Sequence, residues 1–450
     1  MRKNLGFLIL TFLSSCSGDL ATESLDQSTA TQIDEYMKAA TELGRFSGSI
    51  LVAQEGKVVI NKGYGFANLE YGIPNTPDTK FRIASITKQF TAMAILILQE
   101  QGALRVQDRI CRYVSDCPEA WQPITIHHLL TMTPGIPDVQ NFPDNETYER
   151  LPTTVEATIE RFKDRPLEFT PGEHFSYTSS GYLLLGHIIE QVSGLRYEDF
   201  LREQIFHPLG MRNSGYDHPQ TVLKHRASGY SRQGTRPINA VHFEMDTPHA
   251  AGALYSTVED LFLWDQALYT EKIISKSSLE AMFTVFIEPY AYGWIIAESS
   301  GRKMVMHPGA ISGFRAAIVR FPEEKVCMIV LSNIEEKYTQ LTTDLAAIVF
   351  GEDYEIPKVP DTIQLDSNTL EQYVGKYRFG EHWEIMITIE DGRLMIHPPW
   401  SSHAYYEIHH ESDSQFFLKE LGFSFTVPRN DEGRITHIVM NQGQEFEKVE

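Results

Sequence analysis

The chain has 450 residues, with 39 basic against 60 acidic side chains and a formal charge of −21. So large an acidic excess repels phosphate backbones and anionic headgroups, which excludes nucleic acid and anionic lipid surfaces as electrostatic partners. Hydrophobic residues at 42% and charged residues at 22% are ordinary for a globular protein, and the length exceeds the roughly 250–300 residues at which one core stops growing, so two domains are expected.

Arg2 and Lys3 precede an apolar run from Leu5 to Leu13, far short of the roughly 20 residues that span a bilayer, so residues 1–15 read as a signal peptide. The string Leu13-Ser14-Ser15-Cys16 resembles the lipobox of bacterial lipoproteins, which implies acylation of Cys16 and a place in the cell envelope on a periplasm-facing membrane. An ordinary secretory signal with a chance cysteine is the alternative. Residues 16–31 are polar and read as a flexible tether.

A first domain is expected over residues 32–355. From Phe46 two β-rich runs meet at Glu55-Gly56-Lys57, which reads as a hairpin. Apolar Ile86, Phe90, Met93, Ala94, Ile97 and Leu98 then recur at helical spacing, Gly102 supplies a stop, and the unbroken apolar stretch Ala92 to Leu98 predicts a helix buried nearly all round. Helix patterns alternate with Pro/Gly loops from about Leu104 to Leu268, and residues from about Tyr292 to Asn333 turn β-rich again before an apolar helix at Leu341 to Phe350. Strands at both ends with helices between them predict one sheet whose parts lie far apart in the chain, covered by helices. A linker at 356–364 leads to an all-β unit at 365–450, expected to be a small barrel, with a sandwich as the alternative, in which Asp391-Gly392 is the strongest hairpin signal and Ile385, Ile387 and Ile389 share one predicted face.

Cys111 and Cys117, with five residues between them, are either bonded or two free thiols; no histidine at ligand spacing points to zinc. Cys327 lies in an apolar run and reads as a buried small hydrophobe. His127-His128 lack an HExxH spacing and fit the first turn of a helix, a GxSxG elbow and a glycine-rich phosphate loop are absent, and no metal or cofactor is expected.

Ser85 and Lys88 stand three residues apart and so share one face at the start of a helix. A serine hydroxyl is a weak nucleophile until a base takes its proton, and a lysine kept out of water can take it or polarise a neighbour that does. Backbone dipoles at the helix start favour negative charge near Ser85. Alone the spacing is weak: Ser300 and Lys303 repeat it in a polar turn, and a helix cap is the alternative reading of Ser85.

The strings FRIASITKQFTA, ITIHHLLTMTPGIPD, FTPGEHFSYTSSGYLLLGHIIEQVSG, PLGMRNSGYD, AAGALYSTVEDLFLW and HPGAISGF together resemble the penicillin-recognising serine hydrolases, which include class C β-lactamases, D-alanyl-D-alanine carboxypeptidases and related esterases. The resemblance spans about residues 35–350. It implies an α/β (α+β) β-lactamase/transpeptidase-like fold: an antiparallel sheet made from both chain ends, flanked by helices, beside a helical region with the active site in the groove between. It implies Ser85 as the acylated nucleophile, Lys88 as its partner and Tyr177 as the proton shuttle. His307-Pro308-Gly309 matches a strand motif that is Lys-Thr-Gly in many members, and the backbone N–H groups of Ser85 and Ala310 would form the oxyanion hole. His307 could face a substrate carboxylate, or only pack beside the strand.

Two departures stand out. Ser179 replaces the usual asparagine, and Pro308 replaces threonine, which removes a hydroxyl and an N–H. Both weaken recognition of a β-lactam amide and carboxylate. The C-terminal unit resembles the small lipocalin-like β-domain appended to many of these hydrolases. The expected activity is acyl-enzyme hydrolysis of D-amino-acid-containing peptides, with carboxylic esters or weak β-lactamase action as alternatives. From another class, a lipoprotein that binds without turnover remains open.

Overall fold

The computed structural model describes residues 18–233, 236–287, 289–335, 339–358, 363, 365–380, 383–397, 405–418, 423–430, 432–440 and 443–449. The signal-like run and Cys16 lie outside the described residues.

Six antiparallel strands form the central sheet: β1 (Gly48–Gln54), β2 (Lys57–Tyr64), β3 (Ile295–Ser299), β4 (Arg302–Ile311), β5 (Phe314–Phe321) and β6 (Val326–Ser332), in the order β3-β4-β5-β6-β1-β2. The pairing of β1 with β6, from Gly48 opposite Ser332 to Gln54 opposite Val326, brings the two ends of the domain together. β1 and β2 turn at Glu55 and Gly56, both at positive φ, as a two-residue hairpin whose twist suits that conformation.

Side-chain alternation divides the apolar residues of these strands between two cores. Ile50, Val52, Val319, Met328 and Val330 face Ile33, Met37, Leu341, Leu345 and Ile348 on the terminal helices α1 (Gly18–Glu42) and α4 (Thr339–Phe350). Leu51, Ala53, Ile318, Ile329 and Leu331 face the larger core built around α2 (Thr87–Glu100) and α3 (Ser179–Ser193). Because both faces are covered, β6 is buried along its whole length, and α2 is buried from Thr87 to Leu98. The stretch expected to be a tether is helical from Gly18 onward, as part of the helix whose Ile33, Tyr36, Met37 and Ala40 pack on the sheet. Cys111 and Cys117 are bonded to each other, and Cys327 is buried with a free thiol.

The C-terminal unit is a closed eight-stranded barrel from Gly375–Phe379 to Glu445–Lys448, closed by pairing of Tyr377 with Lys448. Its inside is filled by side chains including Tyr377, Ile385, Ile387, Ile408, Phe416, Phe425 and Ile438. Ile389 departs from the expected face: at the mouth of the Asp391-Gly392 hairpin it is exposed.

Candidate active site

Ser85 sits in a single 3-10 turn, Ala84–Ile86, between the short strand Phe81–Arg82 and α2. The preceding Ala84 has φ +46°, a sharp reversal that half-exposes Ser85. The serine does not cap α2: Ile86 holds that position and no side chain bonds the helix start, so the hydroxyl is left for other work. Neighbouring segments fix the turn. Ile83 N donates to Leu254 O (3.0 Å), Leu254 N to Thr87 Oγ1 (3.2 Å), and Thr91 Oγ1 to Ala250 O (2.7 Å). A Cβ at Gly309 would lie 2.2 Å from Ile83 O, so glycine lets β4 pass directly against this turn.

Lys88 follows one turn on, fully buried. Its ammonium donates to Ser85 Oγ (3.0 Å) and Ala251 O (2.9 Å), with Ser179 Oγ farther off at 3.5 Å. Tyr177 is 37% exposed and presents its ring 5.1 Å from Lys88 Nζ. The segment 176–180 is held by Ser176 N to Met132 O (2.9 Å), by Thr178 Oγ1, which caps α3 at Ser180 N (3.2 Å), and by Ser180 Oγ, which donates to Pro137 O (2.8 Å) and accepts from Val139 N (2.9 Å). The structure therefore brings Ser85, Lys88, Tyr177 and Ser179 together from two helix starts. The competing Ser300–Lys303 spacing lies in the β3–β4 hairpin, where Ser300 Oγ donates to Glu352 Oε2 (2.9 Å).

β4 forms the opposite wall. Its partner β3 ends with Ile295 opposite Met306, so the edge from His307 to Ile311 is free to border the groove. Ala310 is exposed there and lines the same cavity as Ser85. Of the two readings of His307, facing a substrate carboxylate or packing beside the strand, its burial favours the second. Alternation along β4 turns it inward with Val305, Gly309 and Ile311, and it is fully buried. Its Nδ1 lies 2.6 Å from Pro308 O; a carbonyl only accepts, so Nδ1 carries the proton and Nε2 accepts from Tyr290 Oη at 2.9 Å. Burial, helped by the Lys88 charge, lowers its pKa to about 3, which leaves a neutral ring that positions Tyr290 and lies beneath Tyr177.

The cavity over Ser85 has a volume of about 410 Å³, and Gln140, Asn145, Glu149 and Phe243 are among its lining residues. None of these was expected from sequence; Gln140 and Asn145 lie in helical turns of three and four residues, with Glu149 just after the second, too short to carry a periodic signal. Burial pushes the Glu149 carboxyl above the usual range. Asp138, at the end of the GIPD string, was also missed. It is buried behind Ser179, and its carboxyl is raised by burial, against the opposing effects of the Gln140 and Ser179 N–H groups and the Lys88 charge. His127 and His128 lie in the first turn of Ile126–Leu130, with His128 in a reciprocal cap with Thr125. Among the described residues no three His, Cys, Asp or Glu side chains are grouped to hold a metal ion.

A lysine-paired serine at the head of a central helix, open to a groove beside a free sheet edge, is the arrangement of a serine hydrolase. The chain belongs to the beta-lactamase family, whose sequence model matches residues 30–350. It is 28% identical over 460 aligned positions to penicillin-binding protein 4* of Bacillus subtilis (strain 168), covering 94% of this chain and 99% of that one. It is 30% identical over 331 positions to protein flp of Staphylococcus aureus (strain MW2), covering 70% of this chain and 65% of flp. Among solved structures, the octameric penicillin-binding protein homologue from Pyrococcus abyssi matches with a TM-score of 0.66 at 27% identity, covering 93% of this chain and 99% of that one.

Proposed function

We propose that this protein is an exported, lipid-anchored serine hydrolase that transfers the acyl group of D-amino-acid-containing peptides to Ser85 and releases it to water. The observation that carries this reading is the short contact between the buried Lys88 ammonium and Ser85 Oγ at the floor of an open cavity. In the proposed cycle Ser85 Oγ attacks the carbonyl carbon, the Lys88 and Tyr177 pair takes its proton, and the same pair returns a proton to the leaving nitrogen. Water then repeats the sequence on the ester. The N–H groups of Ser85 and Ala310 are the proposed donors to the tetrahedral oxyanion, an interaction usually worth about 100–1000-fold in rate for each donor. Export and anchoring rest on Arg2, Lys3, the apolar run and Cys16.

Ester hydrolysis is the second reading, and a specific observation favours it. Ser179 Oγ reaches only to 3.5 Å from Lys88 and, with Pro308 lacking an N–H, the site has few groups to orient a substrate amide. Intact mass of the chain without residues 1–16, after exposure to a fluorophosphonate and separately to a penicillin, tests both. A Ser85-dependent adduct with each reagent supports peptide acyl transfer; a fluorophosphonate adduct alone supports the ester reading. No adduct that depends on Ser85, with Ser85→Ala as control, removes the acyl-enzyme mechanism and leaves a binding lipoprotein.

A further inference from the structure

Beside the Ser85 cavity lies a second one of about 610 Å³, and the two share Phe243 as a common wall. Arg82 and Arg226 both line it, together with His242 and Ser312, and no aspartate or glutamate does. In a chain with a net charge of −21 this is a local inversion of sign.

The two guanidiniums are held in place from below. Asp217, with its side chain fully buried, accepts from Arg82 Nε (2.6 Å) through one oxygen and from Arg226 Nη1 (2.7 Å) through the other. Arg82 also lies over the Phe314 ring at 5.7 Å. One carboxylate is thus shared by two cations, leaving one positive charge over. Among the described residues the other N–H groups of both arginines have no hydrogen-bond partner. Planar, preorganised donors of this kind suit a carboxylate.

Position completes the argument. Arg82 precedes Ser85 by three residues, and three residues of chain span at most about 10 Å. At the other end, Glu149 and Glu146, the latter paired with Arg150 (2.6 Å), line the Ser85 cavity, and no arginine or lysine is among its lining residues. A carboxylate on the substrate is therefore drawn past Phe243 to the arginines.

We propose that Arg82 and Arg226 form a carboxylate-binding subsite that selects acidic substrates, with the acid group about two residues from the bond that Ser85 attacks. The inference deepens the peptide reading above and rests on Ser85 being the reacting group.

The test is the ratio of kcat/KM for paired D-peptides that differ only as Glu against Gln two residues from the scissile bond, on the acyl side in one series and on the leaving side in the other. The parent should prefer the acidic peptide by about tenfold or more in one series, and Arg226→Gln should reduce that ratio to within about twofold of unity, as loss of a charge-assisted pair predicts. Arg226→Lys should retain part of it. Lys224→Gln, which removes an equal charge from an exposed side chain outside the cavity, should keep the parental ratio. A parental ratio near unity in both series overturns the subsite even if Arg226→Gln fails to fold, and so does a ratio that Arg226→Gln leaves intact. If neither peptide turns over while esters do, the peptide reading fails separately, and the same ratio on aryl esters with and without a carboxylate decides the subsite.

Discussion

Lys88 Nζ lies 3.0 Å from Ser85 Oγ and 2.9 Å from Ala251 O, wholly out of solvent. A protonated lysine in this position donates to the serine and cannot receive its proton, so the proposed acyl transfer needs one member of the pair deprotonated, Tyr177 as phenolate beside the ammonium or Lys88 as the free amine. The ring centre of Tyr177 lies 5.1 Å from Lys88 Nζ and the side chain is partly exposed, which puts a phenol beside the lysine and open to solvent. Lys88→Ala and Tyr177→Phe are each expected to lower kcat/KM by about 100–10,000-fold, the usual contribution of a general acid–base group. The double variant should lose little more than the worse single one, because both act on one proton path. Steady-state kinetics on a common ester substrate checks this, and losses that multiply would show that the two act independently.

Arg320 and Asp265 form an ion pair at 2% and 1% exposure, where β5 meets the helical side of the domain. The guanidinium also lies 4.8 Å from the ring centre of Tyr269 and 5.7 Å from that of Trp294. Arg320→Met would leave the carboxylate buried without its partner, and stability is expected to fall by about 3–5 kcal/mol. Adding Asp265→Leu should restore much of that loss, since a buried pair replaced by apolar residues is often neutral. Urea unfolding of the parent and the two variants gives the answer.

What sequence made legible was local. The Glu55-Gly56 and Asp391-Gly392 hairpins, the buried helix through Leu98 and the apolar strand around Cys327 each carry their pattern within about ten residues, and each formed as read. Non-local features carried no such pattern. A small barrel was expected from the spacing of strands and turns, but nothing within the β-unit announces that Tyr377 pairs with Lys448 to close it, and nothing announces that Asp217 bridges Arg82 and Arg226 across 135 and 9 residues. His307 was placed on the right strand, but its neutral state depends on depth and on the Lys88 charge, and neither is visible in a tripeptide. The reversal at Ala84 was hidden because alanine, unlike glycine, does not advertise a positive φ.

Cys111 and Cys117 are bonded across a loop of five intervening residues that packs against the main core. Loop-closure entropy for so short a ring predicts a contribution of about 2 kcal/mol. Thermal unfolding with and without reductant should show a Tm lowered by a few degrees on reduction, and Cys111→Ser/Cys117→Ser should sit at the reduced value in both conditions. A Tm that reductant leaves unmoved would mean the loop is ordered by packing alone.

His307 and His249 are both fully buried, and burial lowers each from the ordinary 6.5 to about 3. His307 is fixed between Tyr290 and Pro308 O, while His249 stands against Tyr216 at 3.3 Å with its Nε2 unbonded. Below pH 6.5 the unfolded chain takes up a proton at each ring while the folded chain does not. Their contribution to stability is therefore complete above that value and declines as pH falls towards about 3, with a slope of about 1.4 kcal/mol per pH unit for each ring. Carboxylates that titrate in the same window add their own slopes, so the test compares variants. Between pH 6 and 4, His307→Gln should flatten the dependence of unfolding free energy on pH by about one proton, and His249→Gln should do the same independently. A slope identical to the parent would mean that the ring is already protonated in the fold. The positive charge under Tyr177 would then have to be written back into the proton path of Ser85.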